Sequence, residues 1–382
     1  MAGALVTTNI LSTLVAMGLA TLRERLALVL IANREYERLI TGAKRYATVS
    51  ITVPAPVAVR VVAPDVVPPA VSAVTPTSVP VTLSQWYEAP FAMDDKGLIQ
   101  VDNGIIPMQA KEAVKAIANN IEDYLWSLLA VKVGNFVGVP GTTPFGTGLD
   151  EFLAADKLLN DNLADPEDRF MVINTAAKAQ ALGLRAIQDA SFRAGKGPNS
   201  LISGEIGDVL GARWIMSQRV PNHTAGTWTN AGTTTGTNAA AQSTVNLTGG
   251  TGSILAGDVI TFSGADTQTY VVISATGTAP TTQVLVSPNL VTAKSSTETV
   301  MVKPTFAGNI LIQKNSLAFA MAPLIDTIEV PGATMQSVAI DEISGLSLRL
   351  EVSRQHRQVQ WAFDALYGGT VVRPQLSSWV AG

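Results

Sequence analysis

The sequence contains no cysteine and only two histidines, His223 and His356, among 382 residues. Thiol nucleophiles, disulfides and cysteine-ligated zinc are therefore excluded, and so is a metal site that needs two histidines on one helix. Charged residues are scarce, at 15% of the chain, whereas 47% of the residues are apolar. The formal net charge is −4 and the mean hydropathy is +0.27. The chain thus has no overall basic field for nucleic acid, and its apolar surface favours self-association.

Recognisable catalytic and phosphate-binding motifs are missing as well. No Gly-x-Ser-x-Gly sequence accompanies the histidines, so the sequence gives no support for a serine nucleophile. The stretch nearest to a phosphate loop, residues 195–200, lacks the required glycine and lysine spacing, and Pro198 removes one backbone amide. The acidic pairs Asp94-Asp95 and Asp341-Glu342 lack the alternating oxygen ligands of a calcium loop. We therefore predict no cofactor and no metal site.

The most apolar stretch lies near the N-terminus, between residues 4 and 32. Arg23, Glu24 and Arg25 interrupt it before it reaches the roughly 20 apolar residues of a spanning helix, and no basic residue precedes it as in a secretory signal. We expect a helix that packs on a neighbouring surface or subunit, with a membrane-surface helix as the alternative. Its apolar stripe, spaced by three and four residues, consists of Leu11, Val15, Leu19, Leu22, Leu26 and Val29.

A local excess of positive charge overlaps the end of this stripe. Six basic residues stand against three glutamates in this region. One interpretation is a solvated helix face, and the other is a weak, sequence-independent contact with phosphates. We call this set the basic patch: Arg23, Arg25, Arg34, Arg38, Lys44 and Arg45.

The next segment changes from helical periodicity to strict alternation. Val49, Ile51 and Val53 alternate with polar residues, which predicts a strand, and a valine alternation continues from Val57. Prolines recur through residues 54–90, so this segment cannot be a central strand and must be a sheet edge or an extended arm. A disordered proline-rich linker is the alternative, although linkers are usually polar and this segment is rich in Val, Leu and Trp.

The middle of the chain alternates helices and strands. Apolar residues at helical spacing predict a long helix over about 107–133, and a second helix is expected over 149–160. A strand over 170–173 and a helix over 175–188 follow. Alternation of this kind indicates an α/β or α+β subdomain.

The composition changes abruptly after Val220. Between Pro221 and Lys303 the chain has twenty threonines and only five Asp, Glu, Lys or Arg residues, without helical periodicity. Short β-like runs separated by Gly, Pro and Asn predict a small all-β sandwich or barrel, inserted into the surrounding body with its two ends close together. Further strands are expected over 346–352 and 358–363.

Several phrases of the sequence resemble one known family. These are IANREYE at 31–37, ATVSITVP at 47–54, WAFDALYGG at 361–369 and VRP at 372–374. Together with the order of the parts over nearly the whole chain, they resemble the major capsid proteins of tailed bacteriophages with the Hong Kong 97 fold. The coat family of the short-tailed Salmonella phages, which carries an inserted β-barrel domain, looks most similar. The insertion here is shorter and richer in threonine, and the extended loop is longer and richer in proline.

The resemblance implies an α+β fold of the Hong Kong 97 type with an inserted small all-β domain. Its expected parts are an N-terminal arm (1–45), an extended β loop (46–95), a peripheral subdomain with the long spine helix (96–164), an axial subdomain (165–220), an inserted β-barrel-like domain (221–303), and closing axial and peripheral strands (304–382).

The resemblance also implies a function. The chain would form hexamers and pentamers in an icosahedral head around double-stranded DNA, with the arm and loop overlapping adjacent subunits. Assembly in the host bacterial cytoplasm would involve a scaffolding protein and a portal, a decoration protein could bind the virion, and no membrane would take part. The basic patch would line the interior, against DNA or scaffold. Some relatives of the fold crosslink a Lys to an Asn, but the closer family is not known for it, so we expect no crosslink, no enzyme activity and no catalytic residue.

Two other functions remain open at this stage. The shell of a bacterial nanocompartment would use the same fold around protein cargo. A secreted β-rich adhesin or hydrolase would draw on the threonine-rich segment, although the sequence shows neither a signal peptide nor a nucleophile motif.

Overall fold

The computed structural model describes most of the chain. Its described residues are 12–22, 26–35, 48–54, 57, 59, 76–96, 105–188, 204–228, 232–234, 238–264, 266–296, 298–324, 335–341 and 345–382.

Helices are concentrated in the first half of the chain. Their bounds are residues 12–22 (α1), Leu28–Ile31 (α2), Ile105–Ala130 (α3), Asp150–Asp161 (α4), Thr175–Gly183 (α5) and Arg185–Gln188 (α6). Single 3-10 turns lie at Lys314–Ser316 and Pro374–Leu376.

Strands make up most of the remainder. In the first half they are β1 (Val49–Val53), β2 (Thr77–Val81), β3 (Gln85–Asp94), β4 (Phe136–Gly138), β5 (Arg169–Ile173), β6 (Gly207–Val209), β7 (Ala212–Met216) and β8 (Asn222–His223). The next are β9 (Gly232–Thr234), β10 (Thr244–Thr248), β11 (Val259–Phe262), β12 (Tyr270–Thr278), β13 (Thr281–Ser287) and β14 (Thr299–Val302). The last are β15 (Phe306–Gln313), β16 (Leu317–Ala322), β17 (Met335–Ile340), β18 (Ser347–Gln355), β19 (Gln358–Val371) and β20 (Ser377–Ala381).

The spine helix, α3, packs across a five-stranded antiparallel sheet. The strand order is β16-β19-β18-β17, and β3 pairs with β19 on its other side. The helix has 26 residues and is therefore about 40 Å long. The helix starts at Ile105, two residues before the start predicted at Pro107. The proline is tolerated there because the amides of a helix's first turn have no intrahelical partner. Its predicted apolar face forms the main core with residues of β18 and β19, including Val114, Ile121, Leu125, Leu348 and Phe363.

A pair of glycines lies inside β19, the strand that the sequence predicts to end at residue 363. The strand continues to Val371 because Gly368 and Gly369 let other backbone approach it. A Cβ on Gly368 would lie 2.0 Å from the Thr82 carbonyl oxygen, and one on Gly369 would lie 3.0 Å from the Ala318 carbonyl oxygen. Glycine within a strand commonly marks such a close approach.

A second sheet forms the other half of the body. It has the order β4-β20-β15-β5-β7-β6, with β8 also paired to β15. Helix α4 packs on it, and Arg169 of β5 fixes that helix through Asp156, at 2.5 Å between Nη1 and Oδ1. The helix predicted over 175–188 is interrupted at Leu184, whose extended backbone separates α5 from α6.

A closed barrel occupies much of the threonine-rich segment. Its strands follow the order β10-β13-β12-β11-β14-β9, every neighbouring pair being antiparallel. Alternate residues fill its interior, among them Val245, Leu247, Phe262, Val272 and Val284. Before and after the barrel segment, Asn222 pairs with Ala307 and His223 with Phe306. The chain therefore enters and leaves the barrel segment on adjacent strands.

The N-terminal segment differs from the predicted helical stripe. It is helical over 12–22 and again over Leu28–Ile31, with no helix at residues 26–27. Leu11 lies outside the described residues, but the other stripe residues are all buried in the main core of the same chain. This part of the expected arm therefore packs within its own subunit, because its apolar stripe faces the spine helix and sheet.

Candidate assembly surface

A two-stranded ribbon of β1 and β2 is anchored at the edge of the main body. Ile51 pairs with Val79, and Val53 with Thr77, in antiparallel register. The side chains of Ile51 and Val81 are buried, and they join a small apolar cluster with residues of β16 and β19. The predicted extended loop of residues 46–95 thus contributes two described pairings, this ribbon and that of β3 with β19. Most of residues 55–75 lie outside the described residues, whereas Val57 and Val59 are described as exposed and outside any strand.

The strand β3 is one edge of the five-stranded sheet among the described residues. Pro90 pairs with Ala362 in this strand, which a proline without a backbone donor can do only at an edge or bulge. The adjacent Trp86 and Tyr87 are 63% and 47% exposed. An exposed edge with large aromatic side chains is an aggregation hazard unless something covers it.

Asp364 holds this edge strand to the sheet. Its carboxylate forms a two-point pair with Arg349 of β18, at 2.9 Å from Nε to Oδ1 and 2.5 Å from Nη2 to Oδ2. The indole Nε1 of Trp86 donates to the same Oδ2 at 3.0 Å. One carboxylate therefore connects three neighbouring strands, β3, β19 and β18.

The opposite edge of the sheet is β17. Its first and last residues, Met335 and Ile340, are 45% and 53% exposed. Within the described part of the chain β17 pairs with β18 alone. Both strands thus carry exposed apolar side chains and have one paired neighbour each among the described residues.

The N-terminal segment is attached to the spine helix by a buried carboxylate. Glu122 is 1% exposed, and its Oε1 accepts the backbone N–H of Leu28 at 2.8 Å. Burial raises the pKa of Glu122 to about 7, although hydrogen bonds from the Leu28 and Ala27 amides act in the opposite direction. Asn33 adds a second attachment, because its backbone forms bonds with both Leu317 and Phe319 of β16.

The basic patch is described at one of its six residues. Arg23, Arg25, Arg38, Lys44 and Arg45 lie outside the described residues. Arg34 is half-buried, and its guanidinium carbon lies 5.8 Å from the ring centroid of Phe319. At this position the positive charge stacks on an aromatic ring, which sequence patterning did not indicate.

The two histidines lie in different surroundings. His223 Nε2 lies 2.8 Å from Oδ1 of the buried Asp258, beside the pairing of β8 with β15. His356 occupies the turn between β18 and β19 with φ of 46°. The glycine-rich stretch 195–200 lies outside the described residues.

In the parts of the chain that the structure describes, no group of three or more His, Asp or Glu side chains is placed to hold a metal ion. No helix over these same residues combines the length and apolar character needed to cross a membrane.

Comparisons with known proteins give matches in structure and not in sequence. No family model and no curated protein matches the sequence. A structure from Mycobacterium phage Che8 aligns with 93% of this chain and 90% of its own, at 14% identity and a TM-score of 0.51. The fold is similar to that of phage capsid proteins. A capsid structure of cyanophage P-SCSP1u aligns with 87% of this chain and 82% of its own, at 10% identity and a TM-score of 0.48. The mature capsid structure of bacteriophage PhiM1 aligns with 88% of this chain and 82% of its own, at 11% identity and a TM-score of 0.46.

The likeness to the Che8 structure concerns the fold of the body as a whole. At 14% identity the likeness to the Che8 structure is one of fold, and it carries over no individual residue. It spans nearly the whole of both chains, so the body, and not one isolated motif, shares the architecture. The particular relation to the Salmonella phage family stays a prediction.

Proposed function

We propose that this chain is the major capsid protein of a tailed bacteriophage and assembles into an icosahedral head around double-stranded DNA. The observation that carries the proposal is the shared fold with the Che8 structure over 93% of this chain. The phrases of sequence that resemble tailed-phage coat proteins support it independently. Hexamers and pentamers would form with the help of a scaffolding protein and a portal, in the host bacterial cytoplasm.

The sheet edges support a role in self-assembly. Trp86 and Tyr87 on β3, and Met335 and Ile340 on β17, are exposed on strands that each pair with one other strand among the described residues. Neighbouring copies of the chain are the simplest cover for such edges, since each subunit of a closed shell has several identical neighbours. The ribbon of β1 and β2 would reach one of these neighbours, as the extended loop of the resemblance does.

We further propose that the barrel is a separate inserted domain, as the sequence predicts over 221–303. Its own closed core and the adjacent entry and exit strands favour this division. The remaining divisions follow the predicted arm, loop, peripheral and axial parts. Two changes follow from the described residues. Residues 12–22 and 26–33 pack as part of the body, and β3, within the predicted loop, is a strand of the five-stranded sheet.

The basic patch remains a proposed lining of the shell interior, where it would contact DNA or a scaffolding protein. Arg34 is best left out of the test because it stacks on Phe319. Neutral replacement of the other five basic residues should weaken DNA retention and reduce its dependence on salt concentration. Unchanged retention and unchanged scaffold-assisted assembly in that variant would falsify the assignment.

Sedimentation velocity and negative-stain electron microscopy test the shell function directly. The purified full-length chain is examined alone and after co-expression with the genes that neighbour its own. Capsomer rings or closed particles of uniform size are the expected result. A monomer that never assembles in either condition contradicts the proposal. DNA inside native particles supports a phage head, whereas an enzyme inside them identifies a nanocompartment.

A further inference from the structure

A buried cluster of charged residues lies at one end of the barrel. The segment from Pro221 to Lys303 has only five charged residues, and three of them, Asp266, Lys294 and Glu298, meet there. The side chain of Lys294 is fully buried, and those of Asp266 and Glu298 are 7% and 21% exposed. Lysine is almost never fully buried without a specific partner, so this position calls for an explanation.

The geometry brings an amine against a carboxyl group. Lys294 Nζ lies 2.5 Å from Asp266 Oδ2 and 3.6 Å from Glu298 Oε2. It also donates to Thr292 Oγ1 at 2.9 Å, and it lies 5.0 Å from the ring centroid of Phe262. The cluster therefore contains one amine, one carboxyl group in contact with it, a second carboxylate beside it, and an aromatic floor.

Both reacting side chains are held in place by the surrounding chain. The Tyr270 hydroxyl donates to Asp266 Oδ2 at 2.7 Å, and the backbone N–H of Gln268 donates to Oδ1 at 2.9 Å. The backbone of Lys294 exchanges two hydrogen bonds with Asn238, at 2.8 and 2.9 Å. Fixed contact of this kind raises the effective concentration of one group at the other by many orders of magnitude.

We propose that Lys294 and Asp266 condense into an amide within the chain, with Glu298 as the proton carrier. The Nζ–Cγ bond forms, the bond from Cγ to one carboxyl oxygen breaks, and that oxygen leaves as water. No oxidant, reductant or other reactant is needed, because the ammonium and carboxylate together contain the atoms of the amide and one water molecule.

The protons can be followed through each step. The ammonium first passes one proton to Asp266 Oδ2 along their hydrogen bond, which leaves a neutral amine and a neutral carboxylic acid. Nζ then attacks Cγ, and Glu298 takes a proton from the nitrogen of the tetrahedral intermediate. Glu298 returns this proton to the leaving hydroxyl, so its carboxylate is regenerated.

Before the reaction, the neutral amine of Lys294 and the neutral carboxylic acid of Asp266 are the minor form of the pair. Burial alone raises the pKa of Asp266, but hydrogen bonds from Lys294, Gln268 and Tyr270 outweigh it, and the net pKa is lowered. The unreacted cluster is therefore an ion pair, which is costly to hold in an apolar site. The condensation replaces both buried charges with one neutral amide, and the site thereby favours the product.

The amide would connect two loops at the same end of the barrel. Asp266 lies between β11 and β12, and Lys294 lies between β13 and β14. The bond would close a covalent ring around the β12–β13 hairpin and restrict unfolding of the barrel. It joins residues of one chain and is independent of the proposed shell function. It departs from the sequence-based expectation that the protein has no crosslink and no catalytic residue.

The mass of the intact chain under denaturing conditions tests the proposal. The full-length protein should be lighter than its sequence by one water molecule, and proteolysis should yield one branched peptide that joins Asp266 to Lys294. Lys294→Met and Asp266→Ala should each have the full mass of their sequences. Lys303→Met, which removes the barrel's other lysine, should still lose one water.

The variant Glu298→Gln tests the proton transfer separately from the folding of the barrel. It keeps the shape of the side chain but cannot carry the proton, so the branched peptide should form at least tenfold more slowly. Wild-type protein of full mass after prolonged incubation, or a water loss located at another peptide, overturns the proposal and leaves the cluster as an ion pair. Because the wild-type measurement decides this outcome, variants that fail to fold do not affect it.

Discussion

Glu122 and Leu28 are joined by a 2.8 Å hydrogen bond from the backbone N–H of Leu28 to Oε1 of Glu122, between the spine helix and the N-terminal segment. The second oxygen, Oε2, has no hydrogen-bond partner among the described residues. Helix α2 has no side-chain cap of its own, so the carboxyl group of Glu122 supplies an acceptor for an amide that would otherwise be buried unpaired. One residue thereby links the attachment of the N-terminal segment to pH.

We predict that stability falls between pH 4.5 and about 7 because of Glu122. The pKa of this carboxyl group is raised from 4.5 to about 7, so the folded state retains a proton that the unfolded chain has lost. The stabilising contribution is full below pH 4.5 and is lost as the pH rises through about 7. By linkage the loss amounts to about 3 kcal/mol.

Urea unfolding of the unassembled subunit at several pH values measures this effect. Glu122→Gln should make the free energy of unfolding nearly independent of pH across that interval. Glu112→Gln on the exposed side of the same helix is the matched control, since Glu112 forms a solvated pair with Lys115. An unaltered pH dependence in the Glu122 variant would show that another group is responsible.

Asp364→Asn is expected to weaken the five-stranded sheet. The substitution removes the charge that balances Arg349, whose side chain is 12% exposed, and it disturbs the acceptor of Trp86. Breaking such a buried pair costs about 3 kcal/mol, to be measured by denaturant unfolding. The control is Asp95→Asn, which breaks the exposed pair with Arg354 on the same sheet and should cost less than about 1 kcal/mol. Equal losses in both variants would contradict the role given to Asp364.

Gly368→Ala should displace the base of the ribbon. The added Cβ would lie 2.0 Å from the Thr82 carbonyl oxygen, and backbone must move to relieve that contact. We expect a loss of stability of at least about 2 kcal/mol, together with increased proteolysis in residues 77–84. Gly183→Ala, where an added Cβ meets nothing within 4 Å, should be neutral or slightly stabilising. A Gly368 variant with native stability and protease resistance would rule out this packing.

Periodic features of the fold were predictable from sequence, and close approaches between distant segments were not. The spacing of Val114, Ile121 and Leu125 predicts the spine helix, and the helix is present within a few residues of the expected bounds. The short β-like runs expected in the threonine-rich segment are present as strands of the barrel, among them β11 and β14. These features depend on local periodicity, which sequence displays directly.

The missed features all depend on contacts across long sequence separations. Nothing local in residues 12–22 and 26–32 indicates that they enter the core of their own chain. The Gly368-Gly369 pair by itself does not show that the Thr82 carbonyl lies against Gly368. Asp266 and Lys294 are 28 positions apart, with the β12–β13 hairpin between them. The sequence does show that charge is scarce in this segment, and this scarcity singles out its few charged residues.

The sheet edge at β17 gives the sharpest prediction for assembly. Ile340→Lys places a charge where an apolar side chain is 53% exposed at the end of the edge strand. The fold of the subunit should tolerate it, because the side chain already contacts solvent, whereas a neighbouring copy seated on this edge would have to bury the charge. We therefore expect near-native unfolding of the subunit with loss of particles in sedimentation velocity. Leu163→Lys, at a 92% exposed apolar residue away from both sheet edges, is the matched control and should assemble normally. If the Ile340 variant forms particles as readily as this control, β17 is not an assembly edge, and the contacts of the shell must be sought at β3 and the ribbon.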